Sequence, residues 1–302
     1  MAVVRKILGQ SCRTEPLMSK RRRSFSSELQ NDLLLHVIPG FQDNYFYVLE
    51  RRSTRECVAI DPGDAAPVQN LISARGLSLT AVMLTHHHRD HTGGVSFLLK
   101  SQQKTPFILC SEWMNIPESW SGTTVSRISA NAHHTDSIMG FPLRVIDVRG
   151  HTLDHIAFVV CDQSNPDHEL DVFMGDALFG AGCGGLFEGT HEQMLLALKG
   201  LRKLPGHVRA WCAHEYTVKN LRVAIELREN NQAQVKRLQC LESEMLAEAL
   251  EVHELITIPL DMSEEFATNP FLRWDQPDLQ KAIDTVGDLA TFTYVRKFRD
   301  RF

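Results

Sequence analysis

Thr85-His86-His87-His88-Arg89-Asp90-His91 is the most informative segment of this chain. It follows directly on residues 81–84, a short apolar run that predicts a buried strand. Four side chains that can bind a metal lie within six residues: His86, His88, Asp90 and His91. One metal ion cannot comfortably take all four from so short a loop, whereas two adjacent ions can share them. The stretch therefore predicts a two-metal site at the end of a strand.

Three later residues complete a candidate set of metal ligands: His151, Asp176 and His214. Each stands where an apolar run ends, so each side chain could project from a sheet edge into one cleft. Taken singly, each could be an ordinary structural residue. Their occurrence together, in this order and downstream of the first motif, favours the metal site strongly.

The H-x-H-x-D-H pattern with its three downstream partners resembles the signature of the metallo-β-lactamase superfamily. The resemblance implies an α/β fold, the αββα sandwich, in which helices cover two stacked sheets. It implies three ligands for one metal, three for a second and one bridging carboxylate, in this order: His86, His88 and His151; Asp90, His91 and His214; Asp176. Such nitrogen and oxygen ligands fit zinc and tolerate iron or manganese. Asp61 resembles a superfamily aspartate that braces the metal loops without binding metal.

Strand and helix signals predict the order of elements around these residues. Runs of β-branched and aromatic residues bounded by Gly, Pro, Asn and Asp predict strands at 34–38, 45–49, 57–60, 107–110, 143–148, 156–161, 172–174 and 210–212. A helix is predicted over residues 68–74, ending at Gly76. Helical propensity dominates residues 218–252, and little strand signal follows. The predicted domains are an extension over residues 1–32, a metal-binding domain over 33–213 and a smaller C-terminal α-helical domain over 214–302.

The charge of the chain is unevenly distributed. Residues 1–27 carry seven Lys and Arg and one acid, a sum of +6, so the remainder of a chain of net charge −5 is near −11. This Arg- and Ser-rich segment suits a mitochondrial transit peptide, with Arg23-Ser24-Phe25-Ser26 resembling a processing site. The alternative is a disordered extension that carries no targeting signal. An internal start at Met18 would give a shorter, cytosolic form. We expect a mitochondrial or cytoplasmic protein.

Composition also limits the partners of the protein. No run approaches the ~18 apolar residues of a membrane-spanning helix, so no membrane partner is expected. The acidic body does not predict a nucleic-acid partner. We expect a monomer that acts on a small molecule.

Three further stretches narrow the resemblance to the glyoxalase II, or hydroxyacylglutathione hydrolase, family. They are Ala181-Gly182-Cys183-Gly184-Gly185-Leu186-Phe187-Glu188-Gly189-Thr190, His214-Glu215-Tyr216-Thr217 and Val295-Arg296-Lys297-Phe298-Arg299-Asp300-Arg301-Phe302. The resemblance covers residues 33–302. It implies that Arg296 and Arg299 hold the glycine carboxylate of glutathione, a role that suits the bidentate geometry of arginine. It implies further substrate contacts at Tyr216, Gly185 and Phe187.

The sequence departs from this family at two of these positions. Some relatives carry a basic residue at the position of Gly185 and a tyrosine at that of Phe187, so one charge and one hydroxyl are absent here. Backbone contacts could survive both changes, although affinity or the preferred thiol could differ.

The implied reaction is hydrolysis of S-D-lactoylglutathione to D-lactate and glutathione, the second step of methylglyoxal detoxification. Two metals held by Asp90, Asp176 and the histidines lower the pKa of a shared water, and the resulting hydroxide attacks the thioester carbonyl. The leaving thiol has a pKa near ~8.5, so a strong general acid is not required.

Other functions of the same fold remain alternatives. A persulfide dioxygenase would use one iron, but the intact second ligand set and residues 218–302 disfavour it. A lactonase or a β-lactamase is disfavoured by the same C-terminal region. A hydrolase that uses another thiol carrier, such as trypanothione, is disfavoured by the C-terminal basic pair. A non-catalytic binding protein would be expected to have lost ligands, and none are lost.

Overall fold

The computed structural model describes residues 25–129, 136–249 and 256–302. Most of the predicted N-terminal extension, with Met18 and the start of the predicted processing site, lies outside the described residues. None of the helices in the described ranges combines the length and the apolar character that crossing a bilayer requires.

The first sheet has seven strands in chain order. They are β1 Phe25–Gln30, β2 Leu33–Gly40, β3 Asn44–Arg51, β4 Glu56–Ile60, β5 Ser78–Met83, β6 Phe107–Ser111 and β7 Val125–Ile128. The first four strands pair antiparallel, and β4 to β7 pair parallel. Parallel strands need crossover connections. Helices α1, Ala65–Arg75, and α3, Val95–Ser101, provide two of them.

The second sheet has six strands: β8 Asp136–Ile138, β9 Phe141–Asp147, β10 Ile156–Cys161, β11 Glu169–Gly175, β14 Arg209–Cys212 and β15 Leu260–Asp261. Their order across the sheet is β15-β14-β11-β10-β9-β8. Strands β11 and β14 pair parallel, with helix α4, His191–Leu201, in the connection between them. The short strands β12, Leu178–Phe179, and β13, Gly182–Cys183, pair with each other directly after β11.

Apolar side chains from both sheets form one core, so the sheets pack face to face. Leu35, Tyr47 and Leu49 of the first sheet share this core with Phe158 and Val172 of the second. A separate apolar cluster joins the other face of the first sheet to α1 and α3. Helix α4 packs on β9 of the second sheet. The predicted αββα sandwich is therefore confirmed.

The C-terminal region is mainly helical, as predicted. Its helices are α5 Thr217–Ile225, α6 Gln232–Ala249, α7 Met262–Thr268, α8 Pro277–Ala282 and α9 Asp288–Arg299. Two non-glycine residues with positive φ, Arg228 and Asn230, interrupt the helical stretch between α5 and α6. Strand β15 was not anticipated. It pairs with β14, so this region also extends the second sheet.

The first strand lies within the segment that the sequence interpretation assigned to the extension. Strand β1 pairs antiparallel with β2 from Phe25 onward, so the folded body begins before residue 33. Its sequence, FSSELQ, is mostly polar because β1 forms an edge of the sheet with largely exposed or half-buried side chains. A polar edge strand gives little alternating signal, which explains the difference.

Both ends of α1, the helix that precedes the metal loop, are formed by residues that favour helix termini. The Asp64 side chain accepts a hydrogen bond from the Ala66 amide and begins α1. Gly76 adopts a left-handed conformation with φ of 61° and ends that helix, which confirms the predicted terminus. Helix α1 thereby leads the chain into β5, whose carboxyl end carries the histidine-rich loop.

Candidate metal centre

Seven predicted ligands meet in two adjacent groups at one edge of the sandwich. The ligand atoms of each group lie within 4.8 Å of one another, and the groups are His86, His88, His151 and Asp176, and Asp90, His91 and His214. All seven follow the ends of strands: the loop and short helix α2, Arg89–Thr92, after β5, and the turns after β9, β11 and β14. The topology therefore gathers residues that are up to 128 positions apart in the chain (214 − 86).

Asp176 lies between the two groups. Its Oδ2 atom is 3.4 Å from His151 Nε2, whereas its Oδ1 atom is 3.3 Å from His91 Nε2 and 3.4 Å from His214 Nε2. Each carboxylate oxygen thus faces a different group, which is the arrangement of a bridging ligand. Asp90 faces only the second group, with Oδ2 at 3.4 Å from His214 Nε2 and 3.6 Å from His91 Nε2.

The residues fit bound metal ions. Within the described part of the chain, His86 Nε2, His91 Nε2 and Asp176 Oδ1 are buried without a hydrogen-bond partner. Buried polar atoms are nearly always paired, so three orphaned atoms within the two adjacent groups indicate a bound ligand. The donors are imidazole nitrogens and carboxylate oxygens, which suit zinc and related ions.

Four of the imidazoles have a hydrogen-bond partner at Nδ1. His151 Nδ1 donates to the Gly185 carbonyl at 2.8 Å, and His214 Nδ1 lies 2.8 Å from Asp43 Oδ1. His91 Nδ1 lies 3.0 Å from Asp61 Oδ2. His86 Nδ1 lies 3.0 Å from Thr85 Oγ1. Fixing Nδ1 sets the tautomer and the ring orientation of a metal-binding histidine.

Electrostatics differ between the two groups. Burial holds the pKa of His86 well below its usual value and also lowers the pKa of His88 and His151, so these imidazoles are neutral and ready to bind a metal. Burial also lowers the pKa of His91, but the Asp176 and Asp61 carboxylates outweigh it and raise that pKa to about 10. The second group therefore differs from the first in having carboxylates that favour the charged form of an imidazole.

A cavity of about 370 Å³ opens over the two groups and extends to the C-terminal helix. Tyr216 forms one wall, with its ring stacked on His214 at a centroid distance of 5.0 Å and an angle of 6°. Arg296 and Arg299 of α9 line the same cavity. It therefore joins a metal-binding end to an end that carries two cations.

Comparison with known proteins identifies the family. The family model described as "Metallo-beta-lactamase superfamily" matches residues 39–214, and the one described as "Hydroxyacylglutathione hydrolase C-terminus" matches residues 215–302. The chain belongs to the hydroxyacylglutathione hydrolase family. The hydroxyacylglutathione hydrolase of Gloeobacter violaceus is 38% identical over 270 residues, which cover 89% of this chain and all of that protein. The hydroxyacylglutathione hydrolase of Methylobacillus flagellatus is 35% identical over 273 residues, with the same coverage.

A solved structure supports the fold independently of this sequence similarity. A metallo-beta-lactamase from Staphylococcus aureus matches with a TM-score of 0.57 at 18% identity, covering 89% of this chain and 71% of that one. The glyoxalase II resemblance inferred from the sequence motifs is thus confirmed, and the chain is a member of a family of hydrolases that act on thioesters.

The predicted substrate residues lie in different environments within this hydroxyacylglutathione hydrolase fold. Arg296 is 4% exposed. Its Nη1 donates to the Cys183 carbonyl at 2.9 Å, and its Nε donates to Asp300 at 2.9 Å. Arg299 is half-buried, and its Nε donates to Asn220 Oδ1 at 2.9 Å. Burial and the neighbouring Arg296 lower the pKa of Arg299, as expected where two cations approach each other.

Gly185 and Phe187 also line the cavity. A Cβ atom on Gly185 would meet only the Phe187 ring, at 3.6 Å, so a side chain could be accommodated there. Phe187 is 73% exposed and approaches the His88 and His151 rings edge-on.

Several residues of the site escaped the sequence interpretation. Phe179, Cys183 and Asn220 line the cavity. Asn44 Nδ2 donates to Asp90 Oδ2 at 3.1 Å, and Asp43 holds His214 as described above. The sequence did contain one signal for Asp43 and Asn44. Such polar residues normally mark a turn, and a turn directly before a buried strand places them at a sheet edge, where the site lies.

Asp61 braces two segments of the metal loop, as the resemblance implied. Its Oδ1 accepts from the Thr85 amide at 2.8 Å, and its Oδ2 accepts from the Thr85 hydroxyl at 2.6 Å and contacts His91 Nδ1. Its φ of 48° is left-handed. Asparagine tolerates that conformation, so Asp61→Asn removes the charge without adding backbone strain.

We predict that Asp61→Asn weakens metal binding at the second group by about tenfold, since partners of ligating histidines typically contribute 10- to 100-fold to affinity. Competition with a chromophoric chelator measures the affinity of each site. Asp64→Asn is the matched control, because asparagine also begins helices well. Unchanged affinity in Asp61→Asn would show that Asp61 does not support His91.

Proposed function

We propose that the protein hydrolyses S-D-lactoylglutathione to D-lactate and glutathione with two divalent metal ions, zinc being the best fit. The observation that carries this proposal is the single cavity that joins the two ligand groups to Arg296 and Arg299. Glutathione is an elongated anion with a thioester near its middle and a glycine carboxylate at one end. A cavity with a metal-binding end and a cationic end matches both features.

Each part of the chain has a defined task in this proposal. His86, His88 and His151 would hold one metal and Asp90, His91 and His214 the other, with Asp176 between them. When bound, the two ions supply hydroxide near neutral pH and positive charge for the oxyanion that develops on the thioester carbonyl. The residues of 33–213 would carry the metals, and those of 214–302 would carry most of the glutathione site.

The substrate residues orient the thioester for attack. Arg299 offers a guanidinium that, among the described residues, has no carboxylate partner and can therefore pair with the glycine carboxylate. Tyr216 and Phe187 contact different ligand groups, since Tyr216 stacks on His214 whereas Phe187 contacts His88 and His151. The departing thiolate is a weak base, since the pKa of its conjugate thiol is about 8.5, so it can leave unprotonated.

Hydrolysis of S-D-lactoylglutathione, followed by loss of thioester absorbance, tests the proposal when the metal content of the same sample is determined. We expect turnover with about two metals per chain. The trypanothione thioester is the comparison for the thiol carrier, and oxygen uptake with glutathione persulfide is the comparison for sulfur oxygenation. No turnover of the glutathione thioester in a fully metallated sample would refute the proposal.

A further inference from the structure

A polar cluster of three residues, which we call the clasp, lies beside the metal centre. It consists of His87, Asp154 and Glu188. The His87 ring lies between the two carboxylates, with Nδ1 at 3.0 Å from Asp154 Oδ1 and Nε2 at 3.3 Å from Glu188 Oε1. None of the three belongs to the ligand groups or to the residues that line the cavity.

The clasp joins three segments that each carry residues of the site. His87 stands between two candidate ligands in the loop after β5, Asp154 stands three residues after His151, and Glu188 directly follows Phe187. Glu188 Oε2 also accepts a hydrogen bond from the Leu153 amide at 2.8 Å. Glu188 is thus connected through one carboxylate oxygen to the His151 segment and through the other to the metal loop.

Burial within the clasp is uneven. Asp154 is 5% exposed, and its Oδ2 has no hydrogen-bond partner among the described residues. An unpaired buried carboxylate oxygen is costly, so the other oxygen must be well supported. That support comes from the Thr152 hydroxyl at 2.7 Å and from His87. The side chains of His87 and Glu188 are 41% and 37% exposed, so changing Glu188 should leave the core intact.

Phe187 is held on the metal ligands without a hydrophobic core around it. Its ring centroid lies 5.3 Å from that of His88 and 5.1 Å from that of His151, nearly perpendicular to both. With 73% of its surface exposed, apolar burial does little to fix its position. Its amide donates to the His151 carbonyl at 3.2 Å, so further restraint must come from its chain neighbours. Glu188 is the neighbour whose side chain reaches other segments: its Oε2 accepts from the Leu153 amide, and its Oε1 lies 3.3 Å from His87 Nε2.

We propose that the clasp is a positioning device that holds Phe187 on the imidazoles of His88 and His151, and thereby shapes the cavity wall against which the thioester binds. Its effect on catalysis rests on the proposed function, whereas its effect on the position of Phe187 does not. Glu188 acts through Phe187 and touches neither the substrate nor the metals. Its loss should therefore weaken substrate binding and leave the chemical step nearly unchanged.

A double-mutant cycle tests this dependence. We expect Glu188→Ala to raise KM for S-D-lactoylglutathione by about fivefold, with kcat within about twofold and metal content unchanged. In a Phe187→Ala background, the same change should have almost no further effect, because coupled residues are not additive. Glu188→Gln, which retains acceptor oxygen, should recover part of the loss. Glu118→Ala removes another exposed glutamate, with no side-chain partner among the described residues, and should change neither parameter.

A spectroscopic measurement tests whether the clasp positions Phe187, and it does not depend on enzyme activity. With 4-fluorophenylalanine at position 187, the ¹⁹F resonance should shift or broaden in Glu188→Ala and stay unchanged in Glu118→Ala. An unchanged resonance in Glu188→Ala would overturn the clasp even if the enzyme is active. If the resonance shifts but Glu188→Ala raises KM equally in the parent protein and in the Phe187→Ala variant, the clasp has no role in substrate binding. Absence of turnover in the parent protein would instead refute the proposed function, and the resonance would still decide the clasp.

Discussion

Replacement of Asp176 by asparagine is expected to lower kcat by about a thousandfold, the scale on which loss of a central electrostatic group acts. The two carboxylate oxygens face different ligand groups, one toward His151 and the other toward His91 and His214. An amide offers only one acceptor oxygen and turns an NH₂ group toward the other metal position. It also removes the negative charge placed between the two ions.

The substitution is nearly isosteric, so the fold should persist. The Asp176 backbone amide donates to His155 Nε2 at 3.1 Å, and this bond does not depend on the side chain. We expect kcat and the number of metals per chain to fall together, with thermal unfolding still cooperative. Asp64→Asn, which makes the same chemical change at the start of α1, should retain full activity. Near-normal turnover by Asp176→Asn with two metals bound would contradict the bridging role.

The sequence predicts that the seven candidate ligands meet, because the relevant signals are local. Each candidate ligand lies in the segment that follows a strand, and the carboxyl ends of those strands meet at one edge of the sandwich. His86 and His88 after β5, and Asp176 after β11, are examples. The order of the ligands along the chain then suffices to select the superfamily, and the helical C-terminal region selects the family.

Features that depend on tertiary contacts could not be predicted in the same way. Asn220 reaches the cavity because α5 packs on the short strand β13, a contact that no local pattern encodes. Strand β15 has only two residues, and it pairs with β14, which lies about 50 residues earlier in the sequence. His87 is a histidine like its neighbours His86 and His88, yet it lies outside the ligand groups. Its ring contacts Asp154 and Glu188, which belong to two other segments of the chain.

The two arginines of α9 illustrate a further limit, since the sequence gives them one shared role and the structure gives them different surroundings. Arg296 is buried, with hydrogen bonds to two backbone carbonyls of the β13 segment and an ion pair with Asp300. Arg299 has one hydrogen bond, to Asn220. Spacing along a helix places both arginines on one side. It does not show which guanidinium is already hydrogen-bonded within the protein and which can bind a substrate.

Arg299→Ala is therefore expected to raise KM for S-D-lactoylglutathione by about tenfold or more, with kcat changed by less than about threefold, because it removes binding to a remote part of the substrate. Its thermal stability should stay close to that of the parent. Arg296→Ala should also raise KM, but it should lower the melting temperature as well, because it leaves two carbonyls and Asp300 without their partner. Arg301→Ala, which removes a charge two residues beyond the end of α9 and outside the cavity, is the matched control.

A modified substrate makes the assignment of Arg299 specific. If its guanidinium pairs with the glycine carboxylate, the KM penalty of Arg299→Ala should nearly vanish for the thioester of glutathione amide, in which that carboxylate is neutral. The parent protein should in turn bind the amide about tenfold more weakly than the acid, since charge-assisted bidentate pairs are the strong ones. An equal penalty for acid and amide would place the carboxylate elsewhere in the cavity and leave Arg299 a general electrostatic role.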